Sequence, residues 1–447
     1  MTISSKYSSS MFKISLVTLS VAAASSAYSA GFSLGDQSAT ASGSALSTAA
    51  ASDEDISFSF WNPALFLNAK KNTFYVSGAY IMPKMDVTNI EAKDATRAPA
   101  PIDISGSSTN TNSVDNVIAP SFYYAMPLSD NTVAGISLNA PFGLSGDYGD
   151  DWKGRFHATE TGLKDIALSF ALAHRVNNWF SAGASVQVHK ADVTLKSQVG
   201  NTSAGAASEG SGDIEADDVG YGYSLGVLFK PVKGTRIGIG YRSKVDFDFK
   251  GNVKYKNVAG INAGLATLPA AERYQLDNAD VSDSLTFPDV LTISLAQALT
   301  PKLTLGLSAI RTGWSSMKDG LNIDFDSSQP NSKLTFGFED QWMYSAGLTY
   351  DYSQQLTLRT GIAMDNSPVT DKYRSARTPD GDRKWYSMGA TYNINDMSSA
   401  TFAYTHVAID SVSVNRDGTG EDAARGSYSA DYSSSADVIS LAYNMSF

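Results

Sequence analysis

Between residue 73 and the C-terminal Phe447, apolar and polar residues alternate in fourteen segments separated by turn-forming residues. A period of two is that of a β-strand with two different faces. The last segment shows the pattern most clearly. Its apolar face comprises Ile439, Leu441, Tyr443, Met445 and Phe447, and its other face comprises Ser440, Ala442, Asn444 and Ser446. The pattern predicts an all-β chain.

Thirteen connections join these segments, and short ones alternate with long ones. The six short connections are 127–131, 176–178, 230–234, 299–302, 351–354 and 394–397. The seven long connections are 84–114, 144–162, 196–218, 251–283, 316–336, 365–383 and 412–431. Short turns on one side and long loops on the other are typical of a transmembrane barrel of the outer membrane. We therefore predict a 14-stranded antiparallel transmembrane β-barrel over residues 73–447, with both of its ends in the periplasm.

Composition limits the remaining classes. The net charge is −11 and the chain has no cysteine, which argues against a nucleic-acid partner and excludes disulfides and thiolate metal sites. Beyond the N-terminus we find no apolar run of about 18 residues, the length a transmembrane helix needs. The Tyr- and Gly-rich composition fits a membrane barrel and also fits a secreted array of β-sandwiches.

The N-terminus resembles a secretory signal. Lys6 and Lys13 precede an apolar stretch at 14–24, and the small residues Ala27 and Ser29 favour cleavage after Ser29. We therefore predict a signal peptide at 1–29 and export of a mature chain that begins at Ala30. Together with the barrel pattern, this predicts the outer membrane of a Gram-negative bacterium as the location.

Residues 30–72 lack the alternation of the rest of the chain. Small residues dominate up to Asp53, and an apolar cluster with Pro63 at its centre runs from Phe58 to Phe66. Small residues suit close packing, and the rigid proline favours an ordered segment. We predict that 30–72 is a plug, or hatch, in the barrel lumen. The alternative is a flexible linker, because Ser, Ala and Gly are also common in linkers.

Several motifs, in order along the chain, are similar to those of the FadL family of outer-membrane transporters for long-chain fatty acids and other hydrophobic molecules. They are Ala30-Gly31-Phe32, Asn62-Pro63-Ala64, Leu358-Arg359-Thr360-Gly361, Asp365-Asn366-Ser367-Pro368-Val369 and Arg377-Thr378-Pro379-Asp380, with Trp385 and Gly389 beyond them. The resemblance covers nearly the whole mature chain.

The resemblance implies a mechanism. A hydrophobic molecule is caught among the extracellular loops and passes into a pocket in the lumen. The mature N-terminus then shifts, and the ligand leaves sideways through a gap made by a kink in the third strand. Here that kink falls at Pro141, Phe142 and Gly143. Pro141 cannot donate to a ladder, and glycine in a strand often marks an irregularity. Loop 196–218 has little apolar content, so we expect loop 251–283 to supply most of any outer catching groove.

Each candidate residue also has a structural interpretation. Phe32 either contacts ligand or packs within the plug. Asn62, Pro63 and Ala64 either contact ligand or fix the turn that leaves the plug. Arg359 either pairs a ligand carboxylate or forms a salt bridge to the plug or wall. Arg155 is a second candidate for the carboxylate, or else a solvated loop charge.

We expect passive uptake of hydrophobic small molecules, most of all long-chain fatty acids, by a monomer that contacts outer-membrane lipid. Two alternatives stay open, an aromatic-hydrocarbon channel of the same family and a structural or adhesin barrel. The four histidines are scattered without metal-ligand spacing, and no hydrolase signature surrounds any serine. We therefore expect no enzyme activity, no metal and no cofactor.

Overall fold

Fourteen antiparallel strands form one closed barrel, as predicted, in a computed structural model that describes residues 31–94, 101–111, 113–200 and 209–447. The predicted signal peptide at 1–29 lies outside the described residues. We number the wall strands β1 to β14, and several consist of two segments. They are β1 Thr73–Lys93, β2 Val117–Ser129, β3 Thr132–Asn139 with Gly143–Asp147, β4 Glu160–Arg175, β5 Phe180–Gly200, β6 Glu209–Phe229, β7 Thr235–Arg242 with Val245–Lys256, β8 Ala279–Phe287 with Val290–Thr300, β9 Leu303–Thr312, β10 Gln341–Asp351, β11 Leu356–Asp365, β12 Arg383–Asn395, β13 Ser398–Ile409 with Val412–Asp417, and β14 Ser427–Ser446.

The barrel closes between its first and last strands. β1 pairs with β14 in antiparallel register from Thr73 opposite Ser446 to Lys93 opposite Ser427. Closure removes the exposed edges of the sheet, whose unpaired backbone groups would be costly in lipid.

The outer wall carries the apolar face that the alternation predicts. In β14, Leu441 is 60% exposed whereas Ser440 is 1% exposed. The same outward set continues on β4, β11 and β12. Its largest members there are Leu168, Phe170, Leu172, Ile362, Met364, Tyr386 and Met388. This belt is the lipid-facing surface, and the opposite side chains point into the lumen.

The short turns fall where the sequence predicts them, but the prediction of loop 196–218 is wrong. β5 continues to Gly200 and β6 begins at Glu209, with Lys196 opposite Asp213 in the ladder. Here one face of the hairpin is charged, and the other carries small residues with Leu195 and Ile214, which pack in a cluster with Val253 and Val281. The alternation is therefore too sparse to recognise between 196 and 218, although the backbone pairing continues.

Two other long connections contain structure of their own. The connection between β7 and β8 holds an α-helix at Ala259–Leu265. The connection between β9 and β10 holds a 3-10 helix at Trp314–Met317 and a small hairpin of Leu321–Phe325 with Ser332–Leu334. None of the helices in the described part of the chain is long and apolar enough to cross a bilayer.

Residues 31–72, here called the plug, pack inside the barrel. They form an α-helical turn at Ala39–Ser42 and 3-10 helices at Ile56–Phe60 and Pro63–Asn68, which are almost wholly buried. Wall glycines make room for the plug backbone. A Cβ added at Gly238 would lie 1.7 Å from the carbonyl oxygen of Ala50, and one at Gly361 would lie 2.1 Å from that of Ser44. The small residues of the plug and these glycines allow the two backbones to touch.

Candidate functional site

The third strand is interrupted inside the wall. On the β4 side the ladder stops at Asn139 opposite Ala167 and resumes at Gly143 opposite Lys164. Three residues, 140–142, therefore face the two residues 165–166. On the other side, the ladder between β2 and β3 ends at Phe122 opposite Leu138. Val117–Ser121 of β2 pairs only with β1 in the described ladder, so the wall has a gap between β2 and β3 above Leu138.

The N-terminal end of the plug satisfies the backbone groups at this break. The Leu34 amide donates to the Pro141 carbonyl at 2.8 Å, and the Gly143 amide donates to the Phe32 carbonyl at 2.8 Å. Ser33 is thereby bridged to Phe142. Unpaired amides and carbonyls are costly at the depth of the bilayer, so these bonds hold Phe32, Ser33 and Leu34 across the gap.

Gln37 completes the contact, and sequence reasoning missed it. Its side-chain amide donates to the Ala140 carbonyl at 2.7 Å, and its Oε1 accepts from the Ala140 amide at 3.2 Å. Its own carbonyl accepts from the Ser121 and Tyr123 hydroxyls at 2.8 and 2.9 Å. One plug residue thus bonds to both sides of the gap. Nothing in the sequence distinguishes this glutamine, because its partners lie about a hundred residues away.

Phe32 and Phe142 belong to one buried aromatic cluster. The Phe32 ring lies 4.7 Å from that of Trp314, 6.0 Å from Phe287 and 6.3 Å from Phe142. All three contacts are edge-to-face, the geometry that the ring quadrupole favours. Phe32 is 3% exposed. The cluster adds apolar packing to the hydrogen bonds that hold the plug end against β3. Whether Phe32 also touches ligand stays a prediction.

Asn62, Pro63 and Ala64 form a capped turn against the wall. Asn62 accepts from the Ala64 amide at 3.0 Å and caps the helix that Pro63 begins. Its amide group donates to the Ala50 carbonyl at 2.8 Å and to the Val227 carbonyl of β6 at 2.9 Å. These bonds fit the structural interpretation of the motif, and a ligand contact stays a prediction.

Arg359 and Arg155, the two arginines predicted to bind a ligand carboxylate, already form ion pairs with carboxylates of the protein. Arg359 donates to Glu54 of the plug at 2.7 Å, and Arg155 donates to Glu209 at 2.8 Å. Both arginines are at least nine-tenths buried, at 6% and 5% exposure. Arg359 therefore ties the plug to β11. Neither guanidinium is free for a ligand without the loss of an ion pair, and their ligand role stays a prediction.

A cavity of about 70 Å³, here called the upper cavity, lies between the plug end and the extracellular loops. Its apolar lining includes Phe32, Met85, Val114, Leu144 and Phe338. Two arginines, Arg377 and Arg383, also line it. The cavity is therefore apolar with cations on its wall.

The two arginines of the upper cavity differ in their partners. Arg383 is paired with Asp380, whose carboxylate also accepts from the Gly31 amide at 2.9 Å. Arg377 donates to the carbonyls of Glu160 and Lys196, at 2.9 and 3.0 Å, and to the Thr161 hydroxyl at 2.8 Å. Among the residues that the structure describes, no ion pair to Arg377 is formed.

The surroundings of Arg377 lower the pKa of its guanidinium. Burial, together with the nearby positive charge of Arg425, lowers the pKa of Arg377 to about 9. A half-buried guanidinium bonded only to neutral oxygens is a site where an anion would be stabilised. Arg377 belongs to one of the family-like motifs of the sequence, but nothing in the sequence indicates that this arginine lacks a counter-ion.

Comparison with known proteins indicates an outer-membrane transport protein, in agreement with the barrel and its plug. The family described as "Outer membrane protein transport protein (OMPP1/FadL/TodX)" matches residues 20–447. A long-chain fatty acid transport protein of Escherichia coli O6:H1 is 29% identical over 412 residues, which cover 87% of this chain and 89% of that protein. Outer membrane protein P1 of Haemophilus influenzae is 27% identical, with 88% and 89% covered.

Solved structures show the same fold. A Pseudomonas aeruginosa FadL homologue superimposes with a TM-score of 0.84 at 22% identity, covering 94% of this chain and 100% of that one. The Pseudomonas putida toluene transporter TodX gives a TM-score of 0.64 at 18% identity, with 86% and 92% covered. With its family model matched over almost the whole length, this chain belongs to the OMPP1/FadL/TodX family of outer-membrane transport proteins.

Proposed function

We propose that this protein takes up long-chain fatty acids by passive transport and releases them sideways between β2 and β3. The observation that carries the proposal is Arg377, a half-buried cation that forms no ion pair in the described structure, on the wall of a largely apolar cavity. A fatty acid offers the two complementary parts, an alkyl chain and one carboxylate.

The energetics favour an anionic head group. A buried charge that lacks a partner is costly, whereas a bidentate contact between arginine and a carboxylate is short and strong. A ligand carboxylate at Arg377 would supply the missing counter-ion. The chain would then lie along Phe32, Leu144 and Phe338, next to the plug end that covers the wall gap.

The exit follows from the same contacts. Displacement of Phe32 and Leu34 would break their two hydrogen bonds to Gly143 and Pro141 and would expose the gap between β2 and β3. Unpaired amides and carbonyls are costly in lipid, so ligand or water must satisfy the freed backbone groups while the gap is open. In this scheme residues 30–72 act as the plug domain of a monomer whose signal peptide, 1–29, is removed at export.

The alternative within the family is an aromatic-hydrocarbon channel. TodX is described as a toluene transporter and CymD as a monoaromatic hydrocarbon channel. An aromatic hydrocarbon could stack on the Arg377 guanidinium but would leave it without a counter-ion, so this arginine favours an anionic ligand. A structural or adhesin barrel has no use for the plug contacts at the β3 break. Transport relatives likewise give no reason to assign catalysis to the chain.

Uptake of radiolabelled oleate by cells that carry Arg377→Gln tests the proposal. We expect a loss of about tenfold or more at low oleate concentration, since hydrogen bonds to charged groups contribute about 1.5–3 kcal/mol. Lys302→Gln, which removes an exposed positive charge in the short β8–β9 turn, is the matched control and should transport normally. Equal oleate uptake by Arg377→Gln and wild type, with active toluene uptake, would favour the hydrocarbon alternative.

A further inference from the structure

Arg242 lies between two further cavities in the lumen. The first, of about 50 Å³ and here called the inner cavity, is lined by Leu34, Leu46, Val290 and Ile310 among others. The second, of about 10 Å³ and here called the exit cavity, is lined by Asn139 and Pro141 at the β3 break. In the described part of the chain, Phe60 and Arg242 are the two residues that line both.

Phe60 and Arg242 are in direct contact. The guanidinium carbon of Arg242 lies 3.7 Å from the centroid of the Phe60 ring, and an Nη2 hydrogen is donated to the Phe60 carbonyl at 2.8 Å. This stacked pair forms the partition between the inner and exit cavities. A cation over an aromatic ring is a weak attraction, so a ligand anion can displace the partition.

Arg242 has unused binding capacity. It is 8% exposed, and its Nε has no hydrogen-bond partner among the described residues. Asp165 is hydrogen-bonded to His189 at 3.0 Å, and Asp365 also lines the inner cavity. In the described part of the chain Arg242 forms no ion pair with an acid. A buried donor left without a partner is destabilising, and a ligand oxygen would satisfy it.

We infer that Arg242 is a second, internal binding site for an alkyl carboxylate, placed between the inner cavity and the β3 break. The inference rests on the proposed function. The carboxylate accepts from Nε and an Nη of Arg242, while the alkyl chain lies against Leu34, Leu46 and Ile310 in the inner cavity. Binding competes with Phe60 for the guanidinium, so an occupied site loosens the partition toward Pro141. Arg377 and Arg242 thus offer two successive anion sites along one path.

Equilibrium binding to the purified barrel in non-ionic detergent tests this inference, with oleate and methyl oleate as probes. Arg242→Gln should weaken oleate binding about tenfold and leave the affinity for methyl oleate unchanged. Arg242→Lys keeps the charge and should lose less. Equal weakening of both probes by Arg242→Gln would assign the residue a structural role and overturn the inference, as would unchanged oleate binding.

A second measurement uses the wild-type protein, in case Arg242→Gln does not fold. In a crystal soaked with 2-bromohexadecanoate, whose bromine is next to the carboxylate, we expect anomalous density beside Arg242 as well as Arg377. Density at Arg377 alone would refute the internal site and leave the proposed function standing. Density at neither arginine, with no cellular oleate uptake, would refute both.

Discussion

The barrel wall and the plug are built by different rules. In the wall, each strand presents an apolar face to lipid, as Leu441 and Ser440 of β14 illustrate with 60% and 1% exposure. In the plug, small residues touch wall glycines, and individual polar side chains such as Gln37 and Arg359 fasten the segment to distant strands. The regular pattern of the wall is determined by the lipid around it. The irregular structure of the plug is determined by its contacts with the barrel interior.

This difference explains where transport can occur. Ladder hydrogen bonds along most of the wall leave no opening, since breaking them in lipid is costly. The exception is the β3 break, where the plug supplies the missing partners through Leu34 and Phe32. In the proposed mechanism the plug can release these bonds without unfolding a strand, and in the structure it covers the gap between β2 and β3.

The largest effect is expected from Gly143→Trp at the contact between the two regions. Gly143 bonds to the Phe32 carbonyl, and a bulky side chain in the gap should block the ligand exit. We expect oleate uptake to fall to background while the barrel stays folded. Heat-modifiable gel mobility reports the fold, and uptake is compared with wild type at matched surface levels. Normal uptake would mean that ligand leaves by another route.

Leu441→Arg tests the wall rule alone. Near the bilayer midplane it should destabilise the barrel by about 2–4 kcal/mol, because a charge on the lipid face is desolvated. Denaturant unfolding in lipid vesicles measures the loss. Leu441→Ala is the matched control and should cost much less. If arginine costs no more than alanine at this position, the outward assignment of the β14 face is wrong.

A smaller, pH-dependent effect is expected in the extracellular loops, outside both regions. Burial lowers the pKa of His157 to about 4, and the ring bonds to the Gly426 carbonyl at 3.1 Å. In the folded loop the His157 imidazole therefore resists protonation, whereas in the unfolded loop it is protonated near pH 6.5. Stability should be constant above that pH and fall as pH decreases toward 4, by about 2 kcal/mol at pH 5.

Hydrogen exchange of residues around 154–158 measures this change. Protection should decrease between pH 6.5 and 5 in wild type, after correction for the intrinsic pH dependence of exchange. In His157→Gln, which cannot titrate, the corrected protection should stay constant over the same range. A decrease of equal size in both proteins would assign the effect to other groups.

The sequence predicts the wall well because its signal is periodic. Alternation places Leu441 outward and locates the short turns, since the bilayer imposes the pattern on each strand. It fails at loop 196–218, where the ladder continues but small and charged residues replace most of the apolar ones. The contacts of the plug have no local signal, because the partners of Gln37 and Arg359 are set by the closed barrel. The isolation of Arg377 and Arg242 from carboxylates is visible only in three dimensions.

The most direct test of the account is a reversible cross-link between the plug end and the β3 break. Ser33 and Phe142 are bridged neighbours, and the chain has no cysteine of its own. In the double variant Ser33→Cys/Phe142→Cys, oxidation should abolish oleate uptake and a reductant should restore it. In either single variant, the oxidant should leave oleate uptake unchanged. If the fully cross-linked protein transports oleate as fast as the same protein after treatment with the reductant, the claim that displacement of the plug opens the wall is contradicted.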